Sequence, residues 1–325
     1  MSMERRIAGC VTILWMLGAL PLLHAAEPKF EVQLKKAFVD KYKDRTLIKA
    51  TMVVRHSHKQ PNPVGQGSED GDLHFSGESD DVGLPFVAEV VNAAAQTSAV
   101  AIIKQTAKHN EDQPKDPTPM QVVGAWRLWF EHPSKSQVQM GNNPFFPDTT
   151  NPNHSFEIHP TSAVNQLDLR ASFVPVRDLT THPPRDYKGY GAEVAFPYFD
   201  GLGVVIKGSN SAVAIRSQQL KYNYVDFYIE LTQNPKKVQD GYIALAEVQD
   251  KQGEAQSDQP RRMIFVEGTP AAQSIGQAST GDRFHVLGIP RLNLNAVSYL
   301  VSQHGTQQFS AKLPYEMIIV GIYPK

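Results

Sequence analysis

Residues 92–109 read NAAAQTSAVAIIKQTAKH. Their alanines, and apolar side chains returning every three or four positions, make this the one convincing helix of the chain. The segment EDQPKDPTP, residues 111–119, ends it with three prolines. What flanks the helix decides the fold. Before it come three runs of β-branched and aromatic residues: TLIKATMVVRHSH (46–58), Asp72–Ser76 and Pro85–Val91. The first two are separated by the polar, glycine-bearing KQPNPVGQGSEDG (59–71). After it, strands are expected at Met120–Glu131, His154–His159 and Gln166–Phe173. Three strands, a helix and further strands is the order of an OB-type barrel, a five-stranded Greek key with its helix between strands three and four.

Residues 174–200, VPVRDLTTHPPRDYKGYGAEVAFPYFD, are rich in proline, glycine and charge, and mark a boundary. Beyond them, short strand candidates recur at Gly203–Lys207, Ala212–Arg216, Tyr222–Leu231, Gly241–Val248, Arg261–Val266, Arg283–Leu287, Asn295–Val301 and Tyr315–Tyr323. The expectation is a mainly-β chain of two small OB-like barrels in tandem, with a β-sandwich as the alternative for the second and one helix in the first. The division expected is a signal peptide at 1–26, an N-terminal β domain at 27–175, a linker at 176–200 and a C-terminal barrel at 201–325.

The start of the chain has three regions: a basic Arg5-Arg6, an apolar Ile7–Leu23, and His24-Ala25-Ala26 before the polar Glu27-Pro28-Lys29. That is the pattern of a secretory signal cleaved near Ala25 or Ala26. The apolar run, roughly 17 residues, sits at the lower edge of what spans a bilayer, so a membrane anchor is the competing reading. Ile7-Ala8-Gly9-Cys10 has the look of a lipoprotein box but precedes the apolar run instead of following it. Cys10 is the only cysteine, so a cleaved chain has neither disulfides nor thiolate metal sites. The formal charge is −1 overall and near −2 once Glu4, Arg5 and Arg6 leave with the signal. Such a balance gives no general hold on a polyanion.

The first half concentrates histidines and carboxylates at strand spacing. Asp72 and His74 are two apart, as are Glu157 and His159, and residues two apart in a strand share a face. Glu89 stands in the apolar FVAEVV, and His132 closes VVGAWRLWFEH on the face of Trp126, Leu128 and Phe130. Together Asp72, His74, Glu89, His132, Glu157 and His159 are expected on one side of a barrel. Imidazole and carboxylate are the ligands that Zn²⁺ and similar cations take without thiolates. The expected ligands are His74, His132, His159 and Asp72, with Glu89 or Glu157 able to act as general base on bound water. Carboxylate–imidazole pairing that only satisfies a core is the competing reading. No HExxH, GxSxG or glycine-rich phosphate loop is present.

The ordered series DGDLHF, an Ala-Glu in an apolar strand, Gly124 with His132 eight residues on, and FEIHP resembles a family of secreted bacterial β-proteins. Its members carry a D-x-H, E, G-x7-H and E-x-H-P series. The likeness covers roughly residues 45–165, and AWRLWFE stands where that family has a Gly- and Phe-rich segment. The resemblance implies that the six residues form one site, and it supplies no activity. Asp70-Gly71-Asp72 also resembles the DGD of thermonuclease-type barrels, without the arginines and glutamate that complete that site.

Among the remaining candidates, Arg55, His56 and His58 read as a solvated strand end. Trp126 and Trp129 fall on opposite strand faces, and an exposed Trp126 beside Arg127 would suit stacking on a sugar or base. Arg261, Arg262, Arg283 and Arg291 read as solvated surface. The functional expectation is an exported binding protein for a small molecule, carbohydrate or protein, whose His/carboxylate site holds a divalent metal such as zinc. The alternatives are a metal-dependent hydrolase of phosphoesters and a structural envelope protein.

Overall fold

Alternation along the early strands builds the first barrel. In the computed structural model, which describes residues 28–140, 147–178 and 181–324, it is formed by β1 (Leu47–Ser57), β2 (Leu73–Glu78), β3 (Phe86–Val90), β4 (Met120–His132) and β5 (His154–Val164). The signal peptide expected at 1–26, with Cys10, lies outside the described residues. Strand β1 pairs antiparallel with β2 and β4, β2 with β3, and β4 with β5, while β3 and β5 close the barrel in parallel. Helix α1 (Thr97–Asp112) stands between strands three and four. This is the OB order that the sequence predicts. Leu73, Phe75, Phe86, Ala88, Val90, Phe156 and Ile158 fill the interior, so the alternate residues of the same strands face outward.

The second half repeats the design. Strands β6 (Val225–Leu231), β7 (Gly241–Gln249), β8 (Arg261–Val266), β9 (Arg283–Leu292) and β10 (Tyr315–Ile322) close in the same order, again with one parallel pair, β8 and β10. Helix α2 (Pro270–Ile275) lies between its third and fourth strands, with Thr269 accepting from the Ala272 amide and proline in the first turn. A barrel, not a sandwich, is the form taken. A further five-stranded sheet runs Gln308–Lys312, Gly203–Gly208, Ala212–Ser217, Phe30–Lys35, Ser136–Val138. Its two edges come from the β9–β10 and β4–β5 connections, so it ties one barrel to the other.

Several expectations are corrected. The described residues hold helices besides α1: Lys36–Tyr42, Ala192–Asp200, α2 and Leu294–His304. The last was expected as a strand, but Asn293 caps it by accepting from the Ala296 amide, and β-propensity in NAVSYLV yields to that local bond. Within 166–173 only Leu167–Asp168 is strand, followed by a 3₁₀ turn at Arg170–Ser172.

Trp126 and Trp129 do lie on opposite faces, yet both are buried. Trp126 donates to the Arg45 carbonyl under the Arg291 guanidinium, which sits 3.5 Å from its ring. Trp129 packs edge-on against Phe199 of the helix Ala192–Asp200. A second barrel covering the outer face of the first turns the expected surface into core. The same covering explains why Arg291 has no exposed surface: it donates to the Trp126 and Arg45 carbonyls as well as to Glu316, at 2.7 Å. Arg261 is buried within its own half, against Asp200 and Asp258. Arg283 remains exposed. Gly124 has a packing reason: a Cβ there would lie 2.5 Å from Ile158 and from the Pro160 carbonyl of the crossing β5.

Candidate metal centre

Strand register assembles the centre. His74 and Glu89 are direct cross-strand partners on β2 and β3, Val87 of β3 is level with Glu157 of β5, and Arg127 of β4 faces Glu157. With Leu73, Phe75, Phe156 and Ile158 turned inward, Asp72, His74, Glu89, Arg127, Glu157 and His159 all project from the outer wall, where the second barrel seals them. Asp72, Arg127 and His159 have no exposed surface, and Glu157 and Glu89 almost none.

His159 is the hub. Its Nδ1 lies 3.1 Å from Glu89 Oε2 and 3.4 Å from Glu157 Oε2. Its Nε2 lies 3.1 Å from Asp72 Oδ2 and 2.9 Å from the Tyr224 hydroxyl. Tyr224 donates to Asp72 Oδ2 at 2.7 Å. Having given its proton there, it accepts from His159 Nε2, which leaves the Nδ1 lone pair of a neutral ring pointing toward Glu89. Asp72, Glu89 and His159 offer one ligand atom each, all within 4.8 Å of one another.

Several polar atoms at this centre lack a hydrogen-bond partner in the protein. Asp72 Oδ1, Glu89 Oε2, His159 Nδ1 and both ring nitrogens of His74 are buried without a hydrogen-bond partner. They are five of the eleven such side-chain atoms among the described residues. Buried orphans are rare in native proteins, and each costs about 1–3 kcal/mol. Three of them belong to Asp72, Glu89 and His159, whose ligand atoms lie together, and a cation held there would accept from each of those residues. The 3.1 Å between Glu89 Oε2 and His159 Nδ1 is close to the edge, about 3.3 Å, of a tetrahedron with 2.0–2.1 Å bonds.

Around this set, other groups hold the ligands in place. Arg127 bonds Glu157 Oε2 at 2.5 Å, Glu131 at 2.8 Å and the Pro290 carbonyl of the second barrel at 3.0 Å. His154 spans Glu157 Oε1 at 3.1 Å and the Pro152 carbonyl at 2.6 Å. Burial alone would raise Glu157, but the Arg127 charge and the bonds from His154 and His159 hold it well below the usual carboxylate range. Burial pushes Glu89 well up despite His159, with Glu157 and Asp72 adding to the rise. Asp72 is likewise raised, by burial first. His159 resists its burial: the Glu89 charge and the bonds to Asp72 and Glu157 hold it well above an ordinary imidazole. Proton and cation thus compete for one atom, His159 Nδ1.

The expected residues divide accordingly. Asp72, Glu89, Glu157 and His159 come together. His74 adjoins them through Glu89, at 3.4 Å, and its pKa falls to about 3, through burial first and then the nearby His58 and His159. His132 does not join: it is exposed and stacks on His154, rings 5.5 Å apart. A set of three histidines therefore gives way to one histidine and two carboxylates, because His132 alternates with Leu128, the partner of inward Phe156, and not with Arg127, the partner of outward Glu157. Arg127, expected beside an exposed tryptophan as a ligand contact, is a buried ion-pair partner instead. Of the strand end at 55–58, Arg55 pairs with Glu78, His56 Nε2 lies 2.9 Å from the Pro147 carbonyl, and His58 stacks on His74. Tyr224 and His154 were not foreseen. Tyr224 sits just before a strand of the other barrel and carries no local signal, whereas NHSFE places His154 three residues before Glu157.

Asp70, buried beside this set, gives a test of its electrostatics. Its pKa is raised from 3.8 to about 7, by burial and then by the charge of Asp72. A folded value above the unfolded one means a contribution fully present below about pH 4 and lost as the pH climbs through about 7. Over that window, urea midpoints of chelator-treated protein should fall by the equivalent of about 4 kcal/mol relative to Asp70→Asn. Parallel profiles for the two proteins would remove this assignment.

No protein-family model matches the chain, and no curated protein does. A solved structure of a murine DNA-binding protein bound to double-stranded DNA aligns over 85% of this chain and 98% of its own, at 11% identity and a TM-score of 0.19. A likeness that loose carries neither fold nor function; the barrel assignment rests on the strand order.

Proposed function

We propose that this chain is an exported binding protein that holds one divalent cation between its two barrels, on Asp72, Glu89 and His159. The observation that carries the reading is that ligand atoms of the buried Asp72, Glu89 and His159 lie within 4.8 Å of one another, with an unpartnered polar atom on each of the three residues. With His159 neutral, Asp72, Glu89 and Glu157 carry more negative charge than Arg127, shared with Glu131, can offset, and a divalent ion reduces that excess. Oxygen-rich donor sets with one imidazole suit Zn²⁺ and Mn²⁺. Tyr224 fixes the histidine tautomer, and Arg127 and His154 fix Glu157 beside it, the kind of outer support that metal ligands require.

Binding is favoured over hydrolysis by access. A hydrolase using Glu89 or Glu157 as general base needs the scissile bond beside the ion, and Asp72 and His159 expose no surface. Export is supported by the tripartite start of the sequence. No helix among the described residues is long and apolar enough to cross a membrane. The division into domains at 27–175 and 201–325 is supported by the two closed barrels, one in each part.

Calorimetric titration with Zn²⁺ and Mn²⁺ tests the reading. One site per chain is expected, with proton release on binding and weaker affinity as the pH is lowered, because ligands must shed protons. Heats no larger than dilution for both ions would sink it.

A further inference from the structure

A cavity of about 790 Å³ lies beside the metal centre, between the extended Gln60–Val64 segment and the outer stripe of α1. That volume falls within the range of small-molecule sites. Helix α1 has two working faces. Ala99, Ile103 and Ala107 enter the core, while Thr97, Val100, Ala101 and Lys104, at the spacing of a second stripe, line the cavity. Ala93, Ala94 and Ala95 continue the lining, and Pro61 and Pro63 form the opposite wall. The result is smooth and apolar, with little side-chain freedom to lose on contact.

The end of the cavity is fixed in place. Asn92, in a left-handed conformation at φ 51, donates to the carbonyls of Ser172 and Val174 and accepts from the Arg177 amide. The charges at the rim are unequal. Arg177 is engaged with Asp186, and Asp178 is held near Arg185. Lys104 has no ion pair among the described residues, so one cation stands over an apolar floor.

We propose that this cavity binds a small amphipathic organic anion, its apolar body against the alanine and proline walls and its carboxylate on Lys104. The site is distinct from the cation centre and does not depend on it, but the two are joined. Asn62 lines the cavity and donates to Asp70 Oδ1 at 3.0 Å, and Asp70 in turn accepts from the Asp72 amide. A ligand in the cavity therefore touches the segment that carries one arm of the cation site.

The test is titration of the purified protein with 2-naphthoate and with its neutral counterpart 2-naphthamide, followed by calorimetry and by amide shifts. Naphthoate should bind at least tenfold more tightly, with the largest shifts at residues 93–101. Lys104→Gln should erase the preference, Lys104→Arg should keep it, and Ala101→Phe should block both compounds by filling the floor. Both positions are exposed on the helix, and unchanged circular dichroism would confirm the fold of each variant. Equal affinity for the two compounds, a preference that survives Lys104→Gln, or no binding of either would overturn the proposal.

Discussion

Replacing Arg127 by Ala should lower the unfolding free energy by about 3–5 kcal/mol, the usual cost of removing one member of a buried ion pair. The guanidinium has no exposed surface and neutralises Glu157 and Glu131 at once. Its third bond, to the Pro290 carbonyl, crosses from the first barrel to the second. Without it, Glu157 keeps only histidine partners in a dry site, and the donor to Pro290 is lost. Arg127→Met, which preserves much of the apolar volume, should recover little, since the uncompensated carboxylate and not the missing methylenes sets the cost. Arg127→Lys should be intermediate, because an ammonium cannot serve three acceptors in a plane. Urea midpoints would measure this, and an Arg127→Ala loss under about 1 kcal/mol would mean that Glu157 finds another counter-charge.

The second large effect concerns the cation itself. An ion that binds only the folded chain stabilises it by about 2.7 kcal/mol at a hundredfold excess over its dissociation constant, so the thermal midpoint should climb with added Zn²⁺ or Mn²⁺. Glu89→Gln keeps the size of the side chain but removes its charge, and should weaken binding by about two orders of magnitude or more. Chelator-treated Glu89→Gln should nonetheless be at least as stable as chelator-treated wild type, because a neutral amide replaces a carboxylate that burial disfavours. His159→Ala should lose binding and also stability, since it strands Asp72 and Glu89 together. Opposite signs for Glu89→Gln with and without the ion separate ligation from packing; a core pair alone would move both in one direction.

Much of the fold is legible in the chain. The order of strands around NAAAQTSAVAIIKQTAKH is that of the first barrel, and two-residue spacing puts Asp72, Glu157 and His159 on a common wall with Glu89. What the sequence does not show is what lies outside that wall. Arg127, Arg291 and Trp126 look like surface from their own strands, and become core because another barrel, more than 90 residues away in sequence, packs on them. His132 is misplaced for a local reason: it alternates with Trp126 and Leu128, whose partners Ile158 and Phe156 turn inward, and so falls on the face opposite Arg127 and Glu157. Tyr224 is invisible because its role exists only across the interface. The short helix Leu294–His304 shows the same limit in reverse, with one capping bond outweighing strand-like composition.

The most direct measurement is the metal content of the purified protein, native and after reconstitution with Zn²⁺ or Mn²⁺, beside Glu89→Gln and His159→Ala. One equivalent per wild-type chain, absent from both variants, is the expected result. Wild type without stoichiometric metal in either form, or variants that retain it, would contradict a cation centre on Asp72, Glu89 and His159.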